Sequence, residues 1–325
     1  MKNNNKKNLV VTLADKNYLQ AAKQLFSSLY FNSGWQGDYM LLAHEIENEE
    51  LAWFETKGIK IYKTKKLGNR TGPGKYPPVV LSKFFLFKKY FKKWNKIIFL
   101  DADIIIRGSL NNLLKQKGFN APETETHPLS GQFSTSQENN KYIELRQKYN
   151  LKEKSLCSGV FIFDTKIISE NSFNDLLNLY KKYRDLALYG EESIFNLYFY
   201  KNWNMLPFVY NFNPDHANRY YNAKANTSPT TIIHFGWSIP PWNNNSLFYQ
   251  EWIHNLNKAN NINLEKRLPP FQNFSEKKIN DYLKKIKRIK KYKLIILYID
   301  KQIGKLGKII KKISPNFYKI IKNEK

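Results

Sequence analysis

Three apolar runs separated by two helical patterns open the chain, and that order leaves few folds available. Leu9 to Leu13 reads as a strand, bounded by Asp15-Lys16-Asn17. Tyr18 to Tyr30 carries Ala22, Leu25, Phe26 and Leu29 at helical spacing until Gly34 and Gly37 break it. Tyr39 to Leu42 is a second strand, Glu49 to Lys57 a helix stopped by Gly58, and Ile59 to Tyr62 a third strand. A β-α-β-α-β order predicts an α/β fold with a mostly parallel sheet covered by helices on both faces. Beyond a Gly/Pro-rich basic loop (63–78), the pattern predicts a helix near Val80–Phe91 and a strand at Ile97–Leu100. Residues 119–150 read as polar and irregular, becoming helical near Glu144. Residues 157–165 read as another strand, followed by a helix from Phe173 to Tyr183.

The run Ile97-Ile98-Phe99-Leu100 ends at Asp101 and Asp103, and Ile104-Ile105-Ile106 follows at once. Ligands of open α/β sheets bind at the carboxyl ends of strands. Alternation along a strand puts residues two apart on one side, so the two carboxylates are expected to converge. Such a pair is costly to bury unless a cation joins it. Oxygen ligands suit Mn²⁺ or Mg²⁺, which also bind diphosphate oxygens. The plainer reading is a solvated turn whose first aspartate caps the next segment; the apolar runs on both sides favour the buried cation site.

The 325 residues carry a net charge of +26. Residues 276–325 hold 17 Lys or Arg against 4 acids, half of that excess. Ile279, Leu283, Ile286, Ile289, Tyr292, Ile296, Ile299, Ile303, Leu306, Ile310 and Ile313 recur there every three or four residues, with lysines between. This predicts a basic amphipathic helical extension over 271–325, weakened at Gly304 and Gly307 and ended by Pro315. Attachment to an anionic membrane surface is the favoured reading, because a nucleic-acid arm needs no apolar stripe; packing on its own domain is the third. A single cysteine, Cys157, excludes an internal disulfide, and no stretch approaches the roughly 20 apolar residues of a membrane span. Met1 to Lys7 lacks the apolar core of a secretory signal. The expected location is cytoplasmic, peripheral on the inner face of the membrane.

Six further segments accompany the acidic pair. "FLDADIII" (99–106) resembles the Asp-x-Asp region of glycosyltransferase family 8. "VVTLADKNYLQAAKQLFSSL" (10–29), "LSKFFLFKKY" (81–90), "CSGVFIFDT" (157–165), "YGEESIFN" (189–196), "LPFVYN" (206–211) and "IIHFGWSIPPW" (232–242) resemble its other motifs, in the family's order. The resemblance spans roughly residues 9–245. It implies a GT-A nucleotide-diphospho-sugar transferase domain over 1–270 and retaining transfer of a hexose from a UDP-sugar to a saccharide or lipid-linked glycan. It also implies Mn²⁺ (or Mg²⁺) held by Asp101, Asp103 and His234, with Glu191 and Glu192 in the catalytic positions. Lys83, Ala102, Ser158, Gly236 and Trp237 fall at substrate-binding positions, as does Asp101 itself. Thr12, Leu13 and Asp15 are candidates for base and ribose contacts. Tyr18 either stacks on uracil or starts the helix as a core residue. Trp242 is either a wall of the sugar site or core.

Several positions depart from the family pattern. Pro240 stands where the closing motif carries a lysine that grips the diphosphate, and Gly236 sits one position early with Trp237 in the usual slot. Another cation is therefore required, with Lys75, Arg70 and Lys83 as candidates. Glu191 replaces an aspartate, Glu192 a glutamine and Cys157 an asparagine. Glu191-Glu192 also reads as an acidic helix N-terminus, a role compatible with catalysis. These departures keep a second class open: a non-catalytic basic protein on a degenerate transferase scaffold.

Overall fold

The computed structural model describes residues 6–69, 72–74, 76–135, 139–221, 228–271, 274–289 and 291. The opening alternation forms as expected: β1 (Leu9–Ala14), α1 (Leu19–Ser28), β2 (Asp38–His44), α2 (Asn48–Thr56) and β3 (Lys60–Thr64). Gly58 leaves α2 at φ +77°, a left-handed conformation that needs no Cβ. Then come β4 (Lys96–Leu100), β5 (Ile104–Ile106), β6 (Phe119–Ala121), β7 (Glu123–Pro128) and α3 (Asn140–Lys148). They are followed by β8 (Lys154–Leu156), β9 (Val160–Asp164), α4 (Ser172–Tyr183), α5 (Glu191–Tyr198), β10 (Trp203–Met205), α6 (Pro214–Tyr221), β11 (Ile232–His234) and α7 (Tyr249–Lys258).

Seven strands form the main sheet in the order β10-β6-β9-β4-β1-β2-β3. β1 runs parallel to β2 and β4, and β2 parallel to β3. β9 alone opposes its neighbours, lying antiparallel to both β4 and β6. The period of two divides the core. Leu9, Val11, Leu13, Phe99, Phe161 and Phe163 face one apolar cluster; Val10, Ala14, Ile98, Leu100, Val160 and Ile162 face the other. On the first face Phe161 stacks between Phe99 (4.9 Å) and Phe119 (5.4 Å), and Phe119 continues the stack to Phe199 at 3.7 Å. Two antiparallel ribbons stand apart from the main sheet, β5 with β11 and β7 with β8.

Four sequence expectations change here. The helix expected near 80–91 is two 3-10 segments, Pro78–Phe87 and Lys89–Lys93, separated by an extended Lys88. Every residue from Leu81 to Phe87 is buried. The segment has no solvent face to favour a regular amphipathic α-helix, and it follows the space left by its neighbours. The irregular start of 119–150 contains β6 and β7. The polar alternation of β7, Glu123 to His127, hides it from hydrophobic periodicity, and pairing with β8 supplies what side-chain burial does not; β6 is buried but only three residues long. Asp101 and Asp103 lie in neither β4 nor β5 but on the bend between them, so turn geometry, not strand alternation, brings them together. The chain from residue 276 to 289 is helical and packs on the body. Ile286 is 3% exposed and joins Phe212, Ile233, Phe235, Phe248 and Trp252 in a third apolar cluster, with Tyr282 and Ile289 beside it. For these residues the reading of a helix packed on its own domain holds. Most of the remaining basic stripe, residues 292–325, and the loop cations Arg70 and Lys75 lie outside the described residues. No helix among the described residues is long and apolar enough to cross a membrane.

Phe161→Ala removes a fully buried ring from the middle of the aromatic stack. It is expected to cost about 3–5 kcal/mol in chemical denaturation, with the transition midpoint moving and the slope unchanged.

Candidate active site

The site begins with a strand pairing. β5 opposes β11 in the register Ile106↔Ile232, Ile105↔Ile233, Ile104↔His234. The three isoleucines of β5 are buried, and so is β11, so apolar burial drives this ribbon together. Its end places His234 opposite the residue that follows Asp103. One carboxylate oxygen each from Asp101 and Asp103 and one His234 ring nitrogen all lie within 4.8 Å of one another. His234 Nε2 is 3.5 Å from Asp103 and 3.8 Å from Asp101.

The surrounding shell orients all three. His234 Nδ1 pairs with Asn211 Oδ1 at 2.8 Å; with the amide oxygen there as acceptor, Nδ1 carries the proton and Nε2 faces the carboxylates with its lone pair. Gly236, at φ +47°, turns the chain after β11 and donates its N–H to Asp103 Oδ2 at 2.8 Å, leaving Oδ1 toward His234. Asp101 N–H donates to the Gly159 carbonyl at 2.8 Å. Gly159 must be glycine: a Cβ there would come within 2.2 Å of the His234 ring.

Charge demand is built into this cluster. Burial pushes Asp101 above the usual carboxylate range despite Lys83 and His234 beside it. Burial acts the same way on Asp103, but His234 and the Gly236 N–H outweigh it and hold Asp103 low. Burial disfavours the imidazolium, yet the two aspartates overcome it and raise His234 above its ordinary value. The three side chains therefore call for positive charge between them. Two carboxylate oxygens and an imidazole nitrogen form a donor set that suits Mn²⁺ or Mg²⁺, so the residues fit the divalent ion that their sequence pattern implies.

A second buried ion cluster adjoins the first. Lys83 is 3% exposed, and its Nζ contacts Glu191 Oε1 (2.7 Å), Asp101 Oδ1 (3.0 Å) and the Ser158 carbonyl (3.3 Å). Phe99 lies under the ammonium at 4.8 Å. Burial disfavours the charge, but Asp101 and Glu191 more than compensate and raise the lysine above its ordinary value. An ammonium has three donors, and all three are engaged, which corrects the expectation that Lys83 stands ready to grip a diphosphate. Burial raises Glu191, with Lys83 only partly countering it. Ser158 Oγ lies 3.0 Å from Glu191 and 3.3 Å from Glu192, so one proton serves two carboxylates. Glu192 also accepts from the Ser158 N–H (2.9 Å) and from Gln132 Nε2 (2.9 Å). Both acids open α5, where the helix dipole favours them, after Gly190 at φ +58°. Asn196 fixes α5 to β8 through paired bonds to the Leu156 backbone (2.8 and 2.9 Å).

These groups line one cavity of about 1180 Å³, room for a nucleotide sugar and part of a second ligand. Leu13, Asp15 and Tyr18 reach it from the end of β1; Lys83, Asp101, Ala102, Asp103, Ser158, Glu191, Glu192, His234, Gly236 and Trp237 line it as well. Trp237 is 80% exposed, at the rim. Tyr18 is 43% exposed and meets Trp242 edge-on at 5.8 Å, so it is not a core residue. Thr12 is the exception. It is fully buried and absent from the cavity wall, because its position in β1 turns it to the face opposite Leu13. Sequence reasoning did not single out Asn211 or Gly159, although both lie within quoted motifs. It also missed Gln132, and the rim aromatics Tyr76 and Tyr189, which meet Trp237 at 5.8 and 6.3 Å. Gln132 and Tyr76 sit in segments with no motif.

Asn211→Leu is expected to weaken divalent-cation binding about 10–100-fold by freeing the His234 ring, with the fold intact by circular dichroism. Gly159→Ala should do the same by displacing the ring directly. Calorimetric titration with Mn²⁺ reads both.

Comparison with known proteins agrees with this geometry. The sequence profile of Glycosyl transferase family 8 matches residues 9–246. Glycosyltransferase GlyF of Streptococcus pneumoniae serotype 4 is 25% identical over 256 residues, which cover 73% of this chain and 58% of GlyF. Among solved structures, the galactosyltransferase LgtC in complex with donor and acceptor sugar analogs superposes with a TM-score of 0.57 at 14% identity, over 77% of this chain and 95% of that one. GlyE of Streptococcus pneumoniae TIGR4 gives 0.56 at 19% identity, over 79% and 63%. The sheet with its one reversed inner strand is the GT-A fold of these enzymes. The acidic bend, the His234 strand and the Glu191 helix all fall inside the matched span, and the chain belongs to glycosyltransferase family 8.

Proposed function

We propose that this chain is a metal-dependent retaining hexosyltransferase that moves glucose or galactose from a UDP-sugar to a saccharide or lipid-linked glycan. The observation that carries the reading is the convergence of Asp101, Asp103 and His234 on the floor of a cavity large enough for donor and acceptor. A divalent ion held there, Mn²⁺ by preference, would neutralise the departing diphosphate.

The chain's own residues do the rest. Asn211 and Gly236 set the ligand atoms before any substrate arrives. Asp15 and Tyr18, at the end of β1, offer an acceptor for ribose hydroxyls and a flat face for the base. Lys83 ties the metal side of the site to the sugar side, because one ammonium holds both Asp101 and Glu191. Glu191 and Glu192 present carboxylates to the cavity, where positive charge would develop at the anomeric carbon. The rim aromatics Tyr76, Tyr189 and Trp237 offer flat faces to an acceptor saccharide. The basic apolar stripe continues in sequence to Ile313, and its composition supports attachment to an anionic membrane surface, where a lipid-linked acceptor would be met.

UDP with Mn²⁺ should raise the melting temperature, since a ligand at a hundredfold its Kd adds about 2.7 kcal/mol. Donor hydrolysis should appear with UDP-glucose or UDP-galactose and stop with EDTA. Asp103→Ala should lower it at least 100-fold, which a UDP-release assay measures. Unchanged hydrolysis in that variant defeats the metal assignment. A melting shift with DNA or anionic vesicles alone would support the non-catalytic alternative.

A further inference from the structure

We propose that Lys287, on the helical segment 276–289, is the cation that meets the donor's diphosphate, which makes this segment a wall of the active site. The proposal rests on the nucleotide-sugar reading above.

Helical periodicity and packing orient the segment. Tyr282, Ile286 and Ile289 lie on one face and enter the third apolar cluster. That cluster contains Ile233 and Phe235, the neighbours of His234, and Phe212, the neighbour of Asn211. Tyr282 Oη lies 3.0 Å from Ser228 Oγ, a further anchor. Leu283 and Lys287, one turn apart, then line the same cavity as the metal ligands.

Charge gives Lys287 its role. Asp101, Asp103, Glu191, Glu192, Asp15 and Asp215 all line the cavity. Among the described residues, its lysines are Lys83 and Lys287. Lys83 is fully engaged with Asp101, Glu191 and the Ser158 carbonyl. One divalent ion does no more than balance Asp101 and Asp103. A nucleoside diphosphate brought into this acidic cavity needs further positive charge. Lys287 is exposed and its side chain has no hydrogen-bond or ion-pair partner among the described residues, so its ammonium is free to turn inward. A flexible stem carrying a point charge suits phosphate oxygens, whose position shifts as the bond to the sugar breaks.

The test uses the full chain with Mn²⁺ and compares calorimetric binding of UDP and of uridine. Lys287→Ala should weaken UDP about 10–100-fold, the range for a lost charge-assisted bond, and leave uridine unchanged. Lys287→Arg should restore UDP binding to within about threefold of wild type. Lys285→Ala, also exposed on the same helix, should match wild type. Equal weakening of UDP and uridine by Lys287→Ala would mark a structural role and overturn the proposal, as would wild-type UDP binding in that variant. If the unaltered chain with Mn²⁺ fails to bind UDP, the nucleotide-sugar reading falls and takes this proposal with it. If UDP binds normally and only the Lys287 comparison fails, the nucleotide-sugar reading stands.

Discussion

The ribbon of β5 and β11 is the constraint on which the site depends. Six buried residues pair across it, five of them isoleucines, and the hydrophobic effect that closes it is indifferent to chemistry. Its register is not indifferent. A slip of one residue would turn His234 to the opposite face and leave Asp101 and Asp103 without their nitrogen partner. Gly236 after one strand and the bend before the other then aim the oxygens, and Gly159 leaves room for the ring. A cation site thus emerges where apolar packing stops.

Lys83 joins this cluster to the carboxylates of α5. Burying an ammonium is costly unless every donor is satisfied, and here two carboxylates and a carbonyl do so. The result is a chain of polar contacts from His234 through Asp101 and Lys83 to Glu191. A change at either end alters the charge balance of the other. The metal side and the sugar side of the cavity are therefore one electrostatic unit, joining the bend after β4, the buried 3-10 segment of Lys83 and the start of α5.

The replaced family positions also acquire a physical context. Glu191 is longer than aspartate by one methylene, and its carboxylate meets both Lys83 and Ser158. Glu192 carries a charge where the family has an amide, and the Ser158 N–H and Gln132 answer it. Cys157 lies beside two acids, and burial pushes its thiol well above the ordinary range, keeping it neutral. None of these substitutions leaves a stranded charge, which argues against reading the scaffold as degenerate. The C-terminal helical segment bears on the same point, since its apolar face covers the strand that carries His234.

Much of this was legible in the chain itself. Period-two and period-3.6 patterns specify β1 through β3 with α1 and α2, because burial on one face writes itself into local spacing. The acidic pair between two apolar runs marks a buried charge site, and ordered motifs mark the strand of His234 and the helix of Glu191. Sequence could not show that Thr12 is sealed behind β1, that Lys83 has no donor left, or that Asn211 sets the histidine tautomer. Nor could it reveal the three-residue β6 or the polar β7, both held by neighbouring strands, or that Lys287 shares a cavity with Asp101. Those facts depend on which distant segments meet. Local pattern records how a residue relates to its own element; only tertiary packing decides which charges and donors end up within a few ångströms of each other.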